Sequence, residues 1–192
     1  MPSKHITIRN HHDERIVGTL ETRQDIAPAV DLLTGRKKLA ILCHGVFSHR
    51  DYLFLSPLAK KLPFESFRFD FRGCGESDGK TRFDIWDVGG CVFKRDIPHV
   101  INLAGSFNNQ WLWLAVQQNE LWMEEIENLG YYKLIATYRR YEKGYQVSKQ
   151  QIDNITRWDM NFISSFPPTT SVLTCHGTGD TVTPVAEVME FR

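Results

Sequence analysis

Four short apolar runs, each closing at or beside a glycine, constrain this chain more than any other feature: KLAILCHG (38–45), SFRFDFRG (66–73), HVINLAGS (99–106) and SVLTCHG (171–177). KLAILCHG is continuous rather than alternating, which is how a strand reads when neighbours cover both of its faces, as in a parallel sheet, and the other three are further candidates for buried strands. The segment DYLFLSPLAKKL (51–62) carries apolar residues at helical spacing between the first two runs. Strands that alternate with helical segments predict an α/β fold with a mostly parallel sheet. Ahead of them, HITIRN (5–10) and RIVGTLE (15–21) alternate in the β manner around polar HHDE, which predicts an N-terminal antiparallel hairpin.

Between the third and fourth runs the pattern changes. Residues 108–132 hold three of the five tryptophans at helical spacing, and residues 147–166 form a second amphipathic stretch with Ser148 placed to cap it. These predict a helical cap over about 107–165, of the kind that lids a pocket. The 192 residues suffice for one core, so a single domain over 1–192 is expected.

Lys+Arg and Asp+Glu number 23 each, so no net field draws the chain to nucleic acid or to an anionic membrane. The cluster Arg139, Arg140 and Lys143, interleaved with Tyr138, Tyr141 and Tyr145, reads as a solvated, stacked helix face rather than an RNA site. No apolar run reaches the roughly 18 residues of a membrane span. The N-terminal residues lack the apolar core of a secretory leader. Cys43, Cys74, Cys91 and Cys175 show neither a C-x-x-C pair nor metal-ligand spacing, which points to a reduced, cytoplasmic chain. Cys43 and Cys175, at strand ends, are expected to be small buried hydrophobes. His11, His12 and Asp13 read as an exposed turn, and no metal site is predicted.

In an open α/β sheet, ligands bind beyond the carboxyl ends of the strands. Three loops there carry chemistry-bearing residues: HGVFSHRD (44–51), RGCGESDG (72–79) and HGTGDTVTPV (176–185). The second contains G-E-S-D-G, a match to the G-x-S-x-G pattern of a nucleophile elbow centred on Ser77. An elbow needs a strand running directly into it and a helix leaving it. Here Arg72, Gly73 and Cys74 intervene, and KTRFD beyond is a poor helix start, so Ser77 is read as a decoy.

Together, the ordered motifs HGVFS, RGCGESDG, DIPHVINLAG, GYQVSKQQIDNITRWDM and VLTCHGTGDTVTPV resemble the α/β-hydrolase superfamily, in its serine esterase, acylglycerol-lipase and serine-aminopeptidase-like branch. The resemblance covers nearly the whole chain. It implies that the Val46 N–H is an oxyanion donor, with His44 and Gly45 shaping its turn, and that Asp180 is the triad acid. It also implies that the serine at position 77 supports its loop and does no chemistry. As a plain alternative, the GTGD turn is a tight loop with Asp180 as an N-cap.

The family's own elbow belongs before HVINLAG, where the sequence reads FDIWDVGGCVF. Gly89 and Gly90 match the second half of such an elbow, and the serine half is missing. Too few residues separate Gly79 from Gly89 for a parallel crossover of at least ~10–12 residues plus its strand. Asp87 in DVGG invites a carboxylate-nucleophile reading, but Ile85 stands where that elbow needs glycine. The resemblance places the triad histidine well beyond the acid, and His44, His99 and His176 do not match it.

Three functions follow as expectations. One is an active serine esterase. The second is a non-catalytic hydrolase-like protein that binds a small acyl or ester ligand where its pocket forms. The third, which the junction near Val88–Gly89 favours, is a shortened form of a larger hydrolase. No cofactor is implied, since such hydrolases use side chains alone.

Overall fold

The computed structural model describes residues 2–23, 29–30, 32, 35–45, 48–80, 97–103, 114, 116–137, 142–157, 167–180 and 185–186. By its internal contacts the chain divides into two compact units, Met1–Arg82 with Ile135–Tyr145 and Phe83–Leu134 with Gln146–Arg192.

The first unit holds a four-stranded sheet in the order β1-β2-β4-β3, built from β1 (Ser3–Arg9), β2 (Arg15–Glu21), β3 (Leu39–Leu42) and β4 (Glu65–Phe69). The expected hairpin forms, with Ser3 opposite Glu21 and Arg9 opposite Arg15. Its turn is organised by Asn10, whose side-chain oxygen accepts from the N–H groups of His12 (2.9 Å) and Glu14 (3.0 Å). Such an Asx turn tolerates the left-handed backbone that Asp13 adopts at φ 61°. β2 then pairs antiparallel with β4, and β4 pairs parallel with β3. The sheet is therefore mixed rather than mostly parallel, because the hairpin is continuous with it.

Helix α1 (Leu55–Lys61) supplies the crossover between β3 and β4, packing Leu55 and Ala59 on Leu42 with Leu58 and Leu62 alongside. Arg23 closes the C-terminus of α1 by donating to the carbonyls of Lys60 and Leu62.

The registers sort the side chains into two unlike faces. The face beneath α1 carries Val17, Thr19, Glu21, Leu42, Ser66 and Arg68, all buried. The opposite face carries Ile6, Ile8, Ile16, Leu20, Leu39, Ile41, Phe67 and Phe69, all half-buried or exposed, with Ile41 62% exposed. The expectation that KLAILCHG is covered on both faces fails at Leu39 and Ile41. Only the Leu42 side meets a helix among the described residues. An apolar run records that a strand can be covered, not which neighbour covers it.

In the second unit β5 (His99–Leu103) and β8 (Ser171–Cys175) pair in parallel, as their apolar runs anticipate. Ile101 and Leu173, opposite each other, are exposed. Helix α2 (Glu120–Leu129) starts on Asn119, whose side chain accepts from the Trp122 N–H, and ends on left-handed Gly130. Trp122 stacks on Tyr132 at 4.7 Å between ring centres. Helix α3 (Lys149–Thr156) opens with the Ser148 cap read from the sequence, extended to a reciprocal capping box with Gln151.

Between these helices, β6 (Tyr131–Thr137) and β7 (Glu142–Ser148) pair as strands. The described part of the expected cap is thus mixed rather than purely helical. Lys143 and Tyr145 sit two apart on β7, so the helix-face reading of that basic cluster is corrected. Strand periodicity puts the Lys143 ammonium 5.9 Å from the Tyr145 ring centre. Arg139, Arg140, Tyr138 and Tyr141 lie outside the described residues. Cys43 and Cys175 are exposed rather than buried, because the strands they end are uncovered on one side, whereas Cys74 is buried. Cys91 lies outside the described residues. No described helix is long and apolar enough to cross a membrane.

Candidate functional site

The candidate residues emerge from three strand ends, two in the first unit and one in the second. The loop leaving β3 carries His44 and Gly45, and the loop leaving β4 runs through Asp70 to Gly79. Val46, the implied oxyanion donor, lies outside the described residues, as do Asp87, Val88, Gly89 and Gly90.

His44 is buried at the join of the two first-unit loops. Its Nδ1 donates to the Gly45 carbonyl (2.7 Å), and its Nε2 accepts from the Phe71 N–H (3.0 Å). The Phe71 ring lies edge-on to the imidazole at 4.8 Å. Burial pushes the imidazole below its ordinary 6.5, outweighing the Gly45 carbonyl and the Asp70 charge. His44 is thus held neutral, with one nitrogen a donor and the other an acceptor.

Asp70 is the hub of the second loop and is completely buried. Its carboxylate accepts from the Arg50 backbone N–H (2.7 Å), the Glu76 N–H (3.0 Å) and the Arg50 guanidinium. Arg50, also buried, reaches Glu76 at 2.6 Å and Thr19 at 3.3 Å. A second buried pair, Arg68 with Glu21 at 2.6 Å, lies on the same sheet face. Burial alone would raise the Glu21 carboxyl, but hydrogen bonds from Ser3 and Arg68 outweigh it and hold the group below its ordinary value. The sequence reading missed this network. Its one local signal is Asp70 itself, an acid closing an otherwise apolar strand.

Ser77 has both capacities of its hydroxyl in use. Oγ donates to the Asp70 carbonyl (2.7 Å) and accepts from the Val17 N–H (2.9 Å), with the residue 5% exposed. It stitches the loop to β2 and presents no accessible oxygen. The loop is also clamped at its ends. Arg72 grips Glu14 through two hydrogen bonds, and Arg15 grips the Asp78 carboxylate while the Asp78 N–H donates to the Arg15 carbonyl (2.8 Å).

The clamps leave a titration signature. Hydrogen bonds from Arg72 and then Asn10 pull Glu14 from 4.5 to about 2, and those from Arg15 pull Asp78 from 3.8 to about 2. Both folded values lie below the unfolded ones, so their contribution is complete above pH 4.5 and is lost as pH falls toward 2. In urea titrations the midpoint accordingly drops more steeply below pH 4.5 in the parent chain than in Arg72→Gln. Equal slopes would show that the exposed clamp is fully screened.

In the second unit, Asp180 lies in the turn after β8, its N–H donating to the Gly177 carbonyl at 3.2 Å. Its carboxylate faces His176, with Nε2 and Oδ2 3.7 Å apart, and the His176 side chain is 4% exposed. His99, at the start of β5, meets the Ser171 hydroxyl at 2.7 Å on the other end of the strand pair. No group of three or more metal-ligating side chains occurs among the described residues.

No protein-family model matches this sequence, and no curated protein matches it. Solved structures do match in fold. The α/β hydrolase GrgF from Penicillium sp. sh18 aligns with 99% of this chain and 85% of its own, at TM-score 0.58 and 15% identity. Mouse alpha/beta hydrolase domain-containing protein 10 covers 97% of this chain and 82% of its own, at TM-score 0.56 and 15% identity. The esterase domain of a Rhodothermus marinus protein covers 98% and 82%, at TM-score 0.56 and 14% identity. The fold is α/β-hydrolase-like.

Proposed function

We propose that this chain is a hydrolase-fold polypeptide of the serine-esterase type, derived from an enzyme acting on ester or related acyl bonds, that performs no acyl transfer itself. The observation that carries this reading is the state of Ser77. A nucleophile needs an exposed oxygen with a base in reach, and the Ser77 oxygen is instead spent between the Val17 N–H and the Asp70 carbonyl.

The remaining parts fit the same reading. His44 and Gly45 precede Val46, whose N–H is the oxyanion donor in this reading, and the buried imidazole anchors that stretch to the Phe71 N–H. Asp180, as the acid of such a site, has the His176 imidazole as its near neighbour. The nine residues between Gly79 and Gly89 leave no room for an elbow strand and crossover, which supports a shortened hydrolase with its junction near Val88–Gly89.

The test pairs a fluorophosphonate probe with turnover of a short-chain p-nitrophenyl ester. No serine is labelled, and turnover stays at the buffer rate. Ser77→Ala leaves both unchanged yet lowers stability by about 1–3 kcal/mol, because two buried backbone groups lose their partner. Covalent labelling of Ser77, or ester turnover abolished by Ser77→Ala without unfolding, overturns the proposal.

A further inference from the structure

We propose that His44 is a proton-operated latch between the loop leaving β3 and the loop leaving β4. The neutral imidazole holds the Phe71 amide, and protonation at Nε2 releases that amide and frees the HG turn from it. The Arg50 bonds to Asp70 and Glu76 keep the two loops joined farther along. The inference concerns the mechanics of these loops and does not depend on whether the chain has a substrate.

The latch follows from donors and acceptors. In the closed state Nδ1–H donates to the Gly45 carbonyl and Nε2 accepts from the Phe71 N–H. A proton on Nε2 sets N–H against N–H, which removes the bond and replaces it with repulsion. The bond is the direct tie between the HG turn and the chain just beyond β4, and it joins residues 27 apart in sequence.

The charged groups around the ring decide whether a protonated imidazole finds another partner. From its own loop come His49, whose charge opposes protonation, and the Arg50 guanidinium, which is paired with Asp70 and Glu76. From the loop after β4 comes Asp70, the group that favours protonation. Both Asp70 oxygens already accept: Oδ1 from the Arg50 N–H, and Oδ2 from the Glu76 N–H and the Arg50 guanidinium. A protonated imidazole has to compete with the Arg50 and Glu76 donors for this carboxylate, and the relief left to the ring is to move out. The Phe71 ring, edge-on to the imidazole, moves with it.

The sign follows from burial. Because burial holds the folded His44 below its ordinary 6.5, the latch is fully closed above that value and opens as pH falls beneath it. Glu14 and Asp78 titrate near 2, so the clamps at the ends of the second loop stay closed throughout. The opening is local.

Amide hydrogen exchange followed by NMR from pH 8 to pH 5, corrected for intrinsic rates, tests this on the intact chain. His44 protonation is read in parallel from its ring nitrogens. Phe71 amide protection falls at least about tenfold in step with His44 protonation. The Asp70 amide, which donates to the Val17 carbonyl at 2.9 Å, keeps its protection. His44→Asn, which retains an acceptor without a titrating group, abolishes the pH dependence at Phe71. Phe71 protection that is constant while His44 titrates overturns the latch. So does joint loss at Phe71 and Asp70, which marks global unfolding, or an unchanged pH profile in His44→Asn.

Discussion

Replacing Asp70 with alanine lowers the unfolding free energy by about 3–5 kcal/mol, the range for removing one partner of a buried ion pair. The Arg50 side chain is 5% exposed and that of Asp70 0%, so water cannot take over the lost contact. Three donors lose their acceptor at once, Arg50 Nη1, the Arg50 N–H and the Glu76 N–H, and the buried guanidinium is left with Glu76 as its near counter-charge. Against a typical total of about 5–15 kcal/mol, such a loss leaves a large unfolded fraction. The measurement is the urea midpoint at pH 7. Arg50→Met with Asp70→Leu restores part of the loss, because an apolar pair removes the stranded charge, although the two backbone donors stay unsatisfied. A single variant within about 1 kcal/mol of the parent would show that the network is hydrated and that this hub is not structural.

Gly75→Ala is the second large effect, about 2–4 kcal/mol, from adding left-handed strain to overpacking. Gly75 has φ 48°, and a Cβ there would stand 2.3–2.6 Å from the carboxyl atoms of Asp70. That carboxyl is held by three donors and cannot step aside, so either the loop or the ion pair must shift. Gly130→Ala is the control. It too has positive φ, at 77°, but nothing lies within 4 Å of its added Cβ. Its loss stays near ~1 kcal/mol, the cost of the backbone conformation alone. Thermal unfolding of both variants separates the terms, and equal losses would mean that the Asp70 contact yields freely.

Much of the fold was legible because its signals are local. The β1–β2 alternation, the helical spacing of α1 and the Ser148 cap depend on neighbours within a few residues, and each forms where it was read. What failed depends on partners remote in sequence. KLAILCHG is the same string whether Ile41 is covered or bare. Tyr131–Thr137 and Glu142–Ser148 lie between two amphipathic helices, and their short alternation was absorbed into the helical pattern around them.

The candidate site divides along the same line. Ser77 was set aside on local grounds, the context that an elbow needs, whereas its hydrogen bonds to Val17 and Asp70 join segments remote in sequence. Arg50 and Asp70 are 20 residues apart, and nothing in either segment announces their pairing. His176 was noticed only as part of an H-G turn. Its approach to Asp180 needs the turn's geometry, which three intervening letters do not contain.

The two unlike faces of the β1–β4 sheet set the colloidal behaviour of the chain. Its buried ion pairs lie beneath α1, while Leu39, Ile41 and Ile8 face outward beside Lys4 and Glu65. At pH 7 the formal charge is zero, so copies meet without net repulsion. Salts that are excluded from protein surfaces strengthen apolar attraction and favour such encounters. How long this polypeptide stays dispersed is thus governed by its concentration and the salt around it as much as by how firmly it is folded.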